Sequence, residues 1–152
     1  PISTGTAVTF GLWNTSTTKS AVLLDFNAGY TSGTIAIGEF GIANQNCGFA
    51  IGTAAPLSAF TDGTPKNGLA GAGGASSMRF TPSAATLTAG GTALLWMGGS
   101  NEIATAAPGV SVMRYDFDGK IIVTPGQLVF VCGSVAQTGL FTMSLSWAEV
   151  PL

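Results

Sequence analysis

The regular alternation of large apolar and small side chains near the end of the chain places the strongest constraint on its fold. In the stretch 140–150, large apolar residues occupy every second position from Phe141 to Trp147. A period of two is typical of a β-strand with one buried face, whereas a helix repeats every 3.6 residues. The intervening residues are small and uncharged: Thr142, Ser144, Ser146 and Ala148. We therefore predict a half-buried strand whose flat outer face packs against a neighbouring subunit or against water.

The same alternation recurs along the chain, while helical periodicity is almost absent. A sandwich of about eight antiparallel strands is predicted, drawn from nine candidate segments at residues 6–13, 22–26, 34–44, 77–80, 92–97, 110–117, 120–123, 127–133 and 140–150. Long loops between some of them fit Greek-key crossings, which favours a two-sheet jelly roll over a barrel. We therefore predict an all-β fold, a jelly-roll β-sandwich that forms a single domain over residues 1–152.

The first two strands are predicted to form a hairpin around the polar turn 14–19. One face of each strand is apolar, with Val8, Phe10 and Leu12 in the first and Val22, Leu24 and Phe26 in the second. Strands that are adjacent in sequence and joined by a short polar turn commonly pair.

Between residues 53 and 85, prolines and glycines become frequent and large apolar residues become rare. This composition predicts a long ordered loop region with one short strand near Ser77–Phe80. The stretch Gln127–Gly133, in contrast, is apolar on both faces, and the dipeptide Asp118–Gly119 predicts a tight turn.

Charged side chains are scarce. Five Lys and Arg and seven Asp and Glu stand among 152 residues, about a third of the usual fraction. Hydrophobic residues make up 46% of the chain, and the mean hydropathy is positive. This combination predicts that other subunits cover part of the apolar surface.

The composition also excludes several functions. Without histidine, neither a Ser–His or Cys–His nucleophile pair nor a His-ligated zinc site can form. A net charge of −2 without a basic run argues against nucleic acid, whose phosphates require clustered Lys and Arg. The longest apolar stretches fall short of the roughly 20 residues that cross a bilayer, and no signal peptide opens the sequence. We expect no nucleic-acid partner, no membrane contact and synthesis in the cytoplasm.

The carboxylates offer two interpretations. Asp116 and Asp118 stand two residues apart and could frame a calcium ion or an acid/base pair, but Asp118 also begins the predicted turn, and the turn is the simpler interpretation. Asp25, Glu39 and Glu149 lie in or at the ends of strands, where a carboxylate usually meets solvent or a cation. We predict no catalytic, cofactor-binding or metal-binding residue, no cofactor and no enzymatic activity.

The aromatic residues also have two interpretations. Trp13, Trp96, Trp147, Tyr30 and Tyr115 fit core or interface positions better than a sugar-stacking platform. The alternative is a glycan-binding site formed by Trp13, Tyr30 or the loop Pro56–Gly74.

Three further motifs have ordinary structural explanations. Gly71–Gly74 lacks the spacing of a phosphate-binding loop or a dinucleotide-binding fingerprint. Asn14-Thr15-Ser16 matches a glycosylation sequon but reads more simply as a turn. Cys47 and Cys132 are predicted to be buried free thiols, with a disulfide between them as the alternative.

One resemblance to a known group emerges from the second half of the chain. The passage Tyr115–Gly126 reads Y-D-F-D-G-K-I-I-V-T-P-G, and the chain ends in W-A-E-V-P-L. The passage, the apolar strand after it and the ending resemble small structural proteins of tailed bacteriophages, which read F-D-G-x-I-I-V-x-P-G, an apolar strand, then W-x-E-[VI]-P. The opening L-W-N-T followed by A-V-L-L is similar too. Two positions depart from that pattern: Ala148 stands where an acidic residue is common, and Thr124 where Pro is common.

The resemblance implies a virion component with a trimeric jelly roll like that of the tumour-necrosis-factor family. It implies a capsid decoration or cement protein on the outer head surface, whose partners are copies of itself and the major capsid protein. The alternative it allows is a fibre or spike domain that binds a host-surface glycan. The pattern contains no catalytic residues.

Overall fold

A computed structural model of the chain describes residues 5–66, 68, 76–100 and 112–152. These residues form twelve strands and no helix. The strands are β1 (Ala7–Val8), β2 (Gly11–Trp13), β3 (Lys19–Ser32), β4 (Gly38–Asn46), β5 (Leu57–Phe60), β6 (Arg79–Thr81), β7 (Ala85–Leu87), β8 (Thr92–Ser100), β9 (Val112–Asp116), β10 (Ile122–Val123), β11 (Gln127–Gly133) and β12 (Leu140–Pro151).

The strands form three antiparallel sheets. The five-stranded sheet has the order β6-β2-β11-β4-β8. In the four-stranded sheet, β3 pairs with β12 along one edge and with β9 and β10 along the other. The three-stranded sheet has the order β1-β7-β5. The predicted all-β antiparallel sandwich is therefore confirmed, while the jelly-roll connectivity stays a prediction.

The central strands β2, β11 and β4 of the five-stranded sheet are buried on both faces. On one side, Leu12, Val129 and Val131 pack against residues of β3 such as Leu23 and Phe26. On the other side, alternate residues of the same strands pack against the three-stranded sheet: Trp13, Ala43, Leu128, Phe130 and Cys132. This double burial explains why Gln127–Gly133 is apolar on both faces, as the sequence predicted.

The predicted hairpin between the first two strands is wrong. β2 pairs with β11 and β6, whereas β3 pairs with β12, β9 and β10, so the turn 14–19 carries the chain from one sheet to the other. The first strand is also interrupted after Val8. The chain leaves the three-stranded sheet there. Phe10 and Leu12 therefore pack in the first core, between the five-stranded and four-stranded sheets, whereas Val8 packs in the second core, between the five-stranded and three-stranded sheets.

The prediction that Val22, Leu24 and Phe26 share one face of β3 is wrong, because Phe26 is buried and the other two side chains face outward. Leu23 is fully buried, whereas Val22 is only half-buried and Leu24 is exposed. The pairing with β12 explains the change, since it shifts register where Ser146 and Trp147 face Asp25 and Leu23. Leu24 is the extra residue of this bulge, and a bulge re-aims the side chains on either side of it.

The region 53–85 was predicted as a long loop with one strand. Its described residues contain two complete strands, and a third begins at its last residue. β6 lies close to the predicted Ser77–Phe80, but β5 was missed, and β7 begins at Ala85. β5 contributes the fully buried Leu57 to the second core. Its four residues, L-S-A-F, are too few to show a period.

The predicted turn at Asp118–Gly119 is confirmed. Both residues have positive φ, 50° and 71°, a conformation in which glycine is not strained. The turn does not reverse the chain, because β9 and β10 pair in succession with the same edge of β3. The detour directs Phe117 into the core, where it is fully buried.

Candidate assembly surfaces

The outer face of the four-stranded sheet is polar over the half that contains β9. Across the strands, Ser146 pairs with Asp25 and Asp25 with Asp116, while Ser144 and Arg114 flank Asn27. Thr142 and Ser144 are exposed, and Ser146 is half-buried. The hydroxyl-lined face predicted for the last strand is therefore present.

The other half of this face is apolar. Val22 lies between Ile122 of β10 and Ala148 of β12, and Leu24 and Val150 extend the surface. We call these five residues the apolar patch. Ile122 is 58% exposed and Leu24 41%. No member of the patch carries a charge, so a partner could cover it without desolvating an ion.

Glu149 joins β12 to the segment before β6. Its Oε1 accepts hydrogen bonds from Ser76 Oγ (2.6 Å) and Ser77 N (3.0 Å), and its Oε2 lies 3.2 Å from Lys19 Nζ. Burial alone would raise the pKa of this carboxyl, but the hydrogen bonds from Ser76, Lys19 and Ser77 outweigh burial and lower the pKa. The prediction that Glu149 meets solvent or a cation is confirmed by its pairing with Lys19.

We expect Glu149→Gln to lower the free energy of unfolding by about 1–3 kcal/mol at pH 7, because it weakens charge-assisted hydrogen bonds. A carboxyl whose folded pKa is lowered stabilises the fold above its unfolded pKa of about 4.3, and this contribution is lost as the pH falls through the folded pKa. Urea unfolding at pH 7 and at about pH 3 should therefore show that the difference in unfolding free energy between the wild type and Glu149→Gln is smaller in acid. Glu39→Gln, at an exposed carboxyl, is the control. A deficit of equal size at both pH values would contradict the role given to Glu149.

A groove of about 400 Å³ opens at the edge of the sandwich, between β6 and β12. Its walls include three aromatic rings of the first core or its margin: Phe10, Phe80 and Phe141. None of the lining residues is charged; the others are Thr9, Pro82, Ser83, Gly139, Leu140, Thr142 and Met143. In the described part of the chain, β12 pairs only with β3, so the strand beside the groove has a free backbone edge.

A loop at the opposite end of the sandwich exposes two large apolar side chains. Phe49 is 54% exposed and Ile51 40%. The loop is fixed at one end, where Trp13 Nε1 donates to Gly48 O (3.0 Å), and at the other, where Gly52 N donates to Leu57 O (3.0 Å). We call residues 49–51 the apolar loop.

The strand β8 forms the far edge of the five-stranded sheet and also exposes apolar side chains. Leu94 is 50% exposed and Trp96 42%. The Trp96 ring packs over Gly41, where a Cβ atom would come within 2.8 Å of the ring. One face of this indole is therefore fixed against the sheet while the rest remains accessible.

The aromatic residues considered as a possible sugar-binding platform occupy different environments in the structure. Trp13 is only 1% exposed and lies under Arg79, whose guanidinium carbon is 5.0 Å from the ring centroid. A sugar cannot stack on so buried a ring. The interpretation of Trp13 as part of a glycan-binding site is therefore wrong, and its interpretation as a core residue is confirmed. Tyr30 is half-buried and donates from its hydroxyl to Gly33 O (2.7 Å). Trp147 packs against the first core.

Arg79 fastens the missed strand β5 to the five-stranded sheet. Its guanidinium donates two hydrogen bonds to the Asp62 carboxylate, at 2.8 and 2.6 Å, and also lies 5.0 Å from the Phe60 centroid. The hydrogen bond with Arg79 lowers the pKa of Asp62. Nothing in the spacing of these residues along the sequence pointed to this cluster.

Asn14, the first residue of the sequon, is fully buried. Its Nδ2 donates to Lys19 O (2.9 Å) and Val123 O (2.8 Å), and its Oδ1 accepts from Ser16 N (2.9 Å). The amide nitrogen that a glycan would need is therefore occupied within the folded chain, which confirms the turn interpretation.

Asp116 stabilises the turn at Asp118–Gly119, since its Oδ1 accepts a hydrogen bond from Asp118 N (2.9 Å).

The described residues contain no group of three or more Asp, Glu, Cys or His positioned to hold a metal ion. They also contain no helix long and apolar enough to cross a membrane. Gly71–Gly74 lie outside the described residues.

Cys47 and Cys132 are free and buried, as predicted. Burial raises the pKa of Cys47 to about 11 and also raises the pKa of Cys132. A thiol that stays protonated at neutral pH is a poor nucleophile. Both side chains therefore act as small apolar members of the second core.

Comparison of the chain with family models, curated proteins and solved structures found no match.

Proposed function

We propose that this chain is a non-enzymatic structural protein of a tailed-bacteriophage virion, a homotrimeric capsid decoration or cement protein that stabilises the head shell from outside. The observation that carries the proposal is the amount of large apolar surface left exposed on a chain with very few charges. Among the described residues, seven of the eleven exposed large apolar side chains lie on the apolar patch, the apolar loop and β8. The resemblance of the second half of the chain to phage structural proteins supports the same proposal.

The energetics favour assembly. Removing apolar surface from water contributes about 25 cal/mol per Å², so 1,000 Å² covered per subunit would yield a gross gain of about 25 kcal/mol. Association costs about 4–15 kcal/mol in lost freedom. Burying an unpaired ion costs several kcal/mol more, and the apolar patch contains none. Its uncharged side chains therefore suit a contact that must hold a shell together.

Two contacts are required of such a protein, one with its own copies and one with the shell. The four-stranded sheet offers a broad face with an apolar half and a hydroxyl-lined half, and we assign this face to the major capsid protein. The proposal includes no catalytic step, because Asp116 accepts a turn hydrogen bond and Glu149 is held by Ser76, Ser77 and Lys19.

Imaging of the parent particle tests the proposal. We expect density of this chain on the outer head shell. We also expect Ile122→Lys to raise the dissociation constant for the particle at least about tenfold, because burying an unpaired ammonium costs more than 1.4 kcal/mol. Thr86→Lys, at an exposed position of β7 in the three-stranded sheet, is the matched control and should bind normally. Density on the tail or a fibre, or equal binding of both variants, would contradict the assignment.

A fibre or spike domain that holds a host glycan is the second candidate. The half-exposed Trp96 ring favours it, because an indole fixed over Gly41 presents a rigid apolar surface of the kind that sugars stack on. A glycan-array signal that Trp96→Ala abolishes and Leu94→Ala preserves would move the assignment to this function.

A further inference from the structure

The groove beside β12 lacks the usual protection of a sheet edge. Proteins blunt free edges with charged side chains, prolines or bulges. From residue 140 to residue 148, β12 carries none of the charges and none of the prolines. The two bulges of its ladder with β3 place their extra residues, Thr31 and Leu24, on β3 and not on β12. Its inward residues Phe141 and Met143 remain only half-buried and line the groove together with Phe80. A free backbone edge beside an apolar groove is the arrangement that accepts an added strand.

The apolar loop has the complementary features. Phe49 lies in the turn that begins at Gly48, Ile51 follows two residues later, and both side chains are exposed. Within the described part of the chain, no backbone hydrogen bond satisfies residues 49–51, whereas Gly48 and Gly52 on either side are both anchored. No charged residue occurs between Glu39 and Asp62. The segment is therefore anchored at both ends, exposes two large apolar side chains and leaves its backbone groups available to a partner.

We infer that the apolar loop of one copy inserts into the groove of the next copy, pairing with the free edge of β12 and placing Phe49 among Phe10, Phe80 and Phe141. The inference rests on the proposed homotrimer and names the contact that would hold it together. The groove volume of about 400 Å³ lies within the range of sites that hold a compact ligand.

The loop and the groove lie at opposite ends of the sandwich, so a chain cannot fill its own groove. Cys47 N donates to Gly126 O (2.9 Å) at the end where Asn46 pairs with Gln127. Asn14 links this end to Lys19, the first residue of β3. The groove lies beside Leu140, which pairs with Ser32 at the other end of β3.

Two different surfaces that meet in this way form a heterologous contact, which closes into a ring when the rotation between copies allows it. A trimer is such a ring. The contact does not use the apolar patch and meets the hydroxyl-lined face only at its edge, at Thr142, so it leaves most of the outer face of the four-stranded sheet for the capsid.

Sedimentation velocity on four variants tests the inference. Phe49→Ser removes the anchor, and Ser83→Arg places a charge in the groove; we expect each to raise the subunit dissociation constant at least about thirtyfold, the size expected of a central aromatic anchor. Two controls are matched to them: Leu94→Ser on β8 removes a large apolar side chain of similar exposure to Phe49, and Ser144→Arg on the outer face of β12 makes the same change as Ser83→Arg at an exposed serine. Both controls should assemble like the wild type.

Hydrogen exchange on the unmodified chain provides a second readout that does not depend on a variant folding. Amides of residues 49–51 and 140–143 should be protected at high concentration and lose that protection on dilution. A wild-type trimer that Phe49→Ser and Ser83→Arg leave intact, or whose amides at 49–51 exchange freely, overturns this contact while the proposed function stands. A wild type that stays monomeric overturns both the contact and the proposed trimer.

Discussion

Trp13→Ala is expected to lower the free energy of unfolding by about 3–5 kcal/mol, a large part of the roughly 5–15 kcal/mol that stabilises a domain. Trp13 is 1% exposed and belongs to the core between the five-stranded and three-stranded sheets. Its removal leaves a cavity, withdraws the indole donor from Gly48 O, and deprives Arg79 of one of its two aromatic partners.

The matched control for this prediction is Trp96→Ala. Trp96→Ala removes the same atoms, but from a side chain that is 42% exposed, so the free energy of unfolding should fall by clearly less than in Trp13→Ala. Urea unfolding followed by circular dichroism measures both variants. Equal losses would contradict the second core. Any loss of glycan binding in Trp13→Ala should be judged against this loss of stability.

Asn14→Ala is expected to cost about 2–4 kcal/mol. Asn14 is fully buried, and its Nδ2 joins the carbonyls of Lys19 and Val123, which belong to β3 and β10. Alanine would leave both acceptors without this donor, and an unsatisfied buried polar group costs about 1–3 kcal/mol. The turn between the two packed sheets would lose its fixed geometry.

Asn46→Ala is the control for Asn14→Ala. Asn46 is exposed and its Oδ1 accepts one hydrogen bond, from Gly48 N at 3.2 Å, so its loss should cost less than about 1 kcal/mol. Thermal unfolding of the two variants under identical conditions gives the comparison. A loss for Asn14→Ala no greater than that for Asn46→Ala would contradict the structural role of the buried amide.

Strands with a regular period or a continuous apolar run were predictable from the sequence. The bounds of β11 are those predicted, and β12 extends the predicted 140–150 by one residue. The strand β9, which lies within the predicted 110–117, and the turn at Asp118 were also predictable, because alternation and turn chemistry are local.

Features that depend on tertiary pairing were not predictable. The bulge at Leu24 arises from the register with β12, which a single strand does not encode. The polar turn 14–19 could join two strands of one sheet or of two, and the sequence does not distinguish these arrangements. β5 forms because the open face of the five-stranded sheet accepts Leu57.

The candidate surfaces were only partly predictable for the same reason. The hydroxyl-lined face followed from the period of the last strand. The apolar patch did not, because it brings β3, β10 and β12 together and depends on the bulge that exposes Leu24. The groove and the apolar loop come from segments far apart in sequence, so neither could be recognised before the fold.

The mass of the chain in dilute native buffer tests the central claim most directly, since assembly is what the exposed apolar surface and the scarce charge predict. Native mass spectrometry or sedimentation velocity at micromolar concentration should give a particle of about three times the 15.2 kDa chain mass. A stable, soluble species at the mass of one chain across that concentration range would contradict the account.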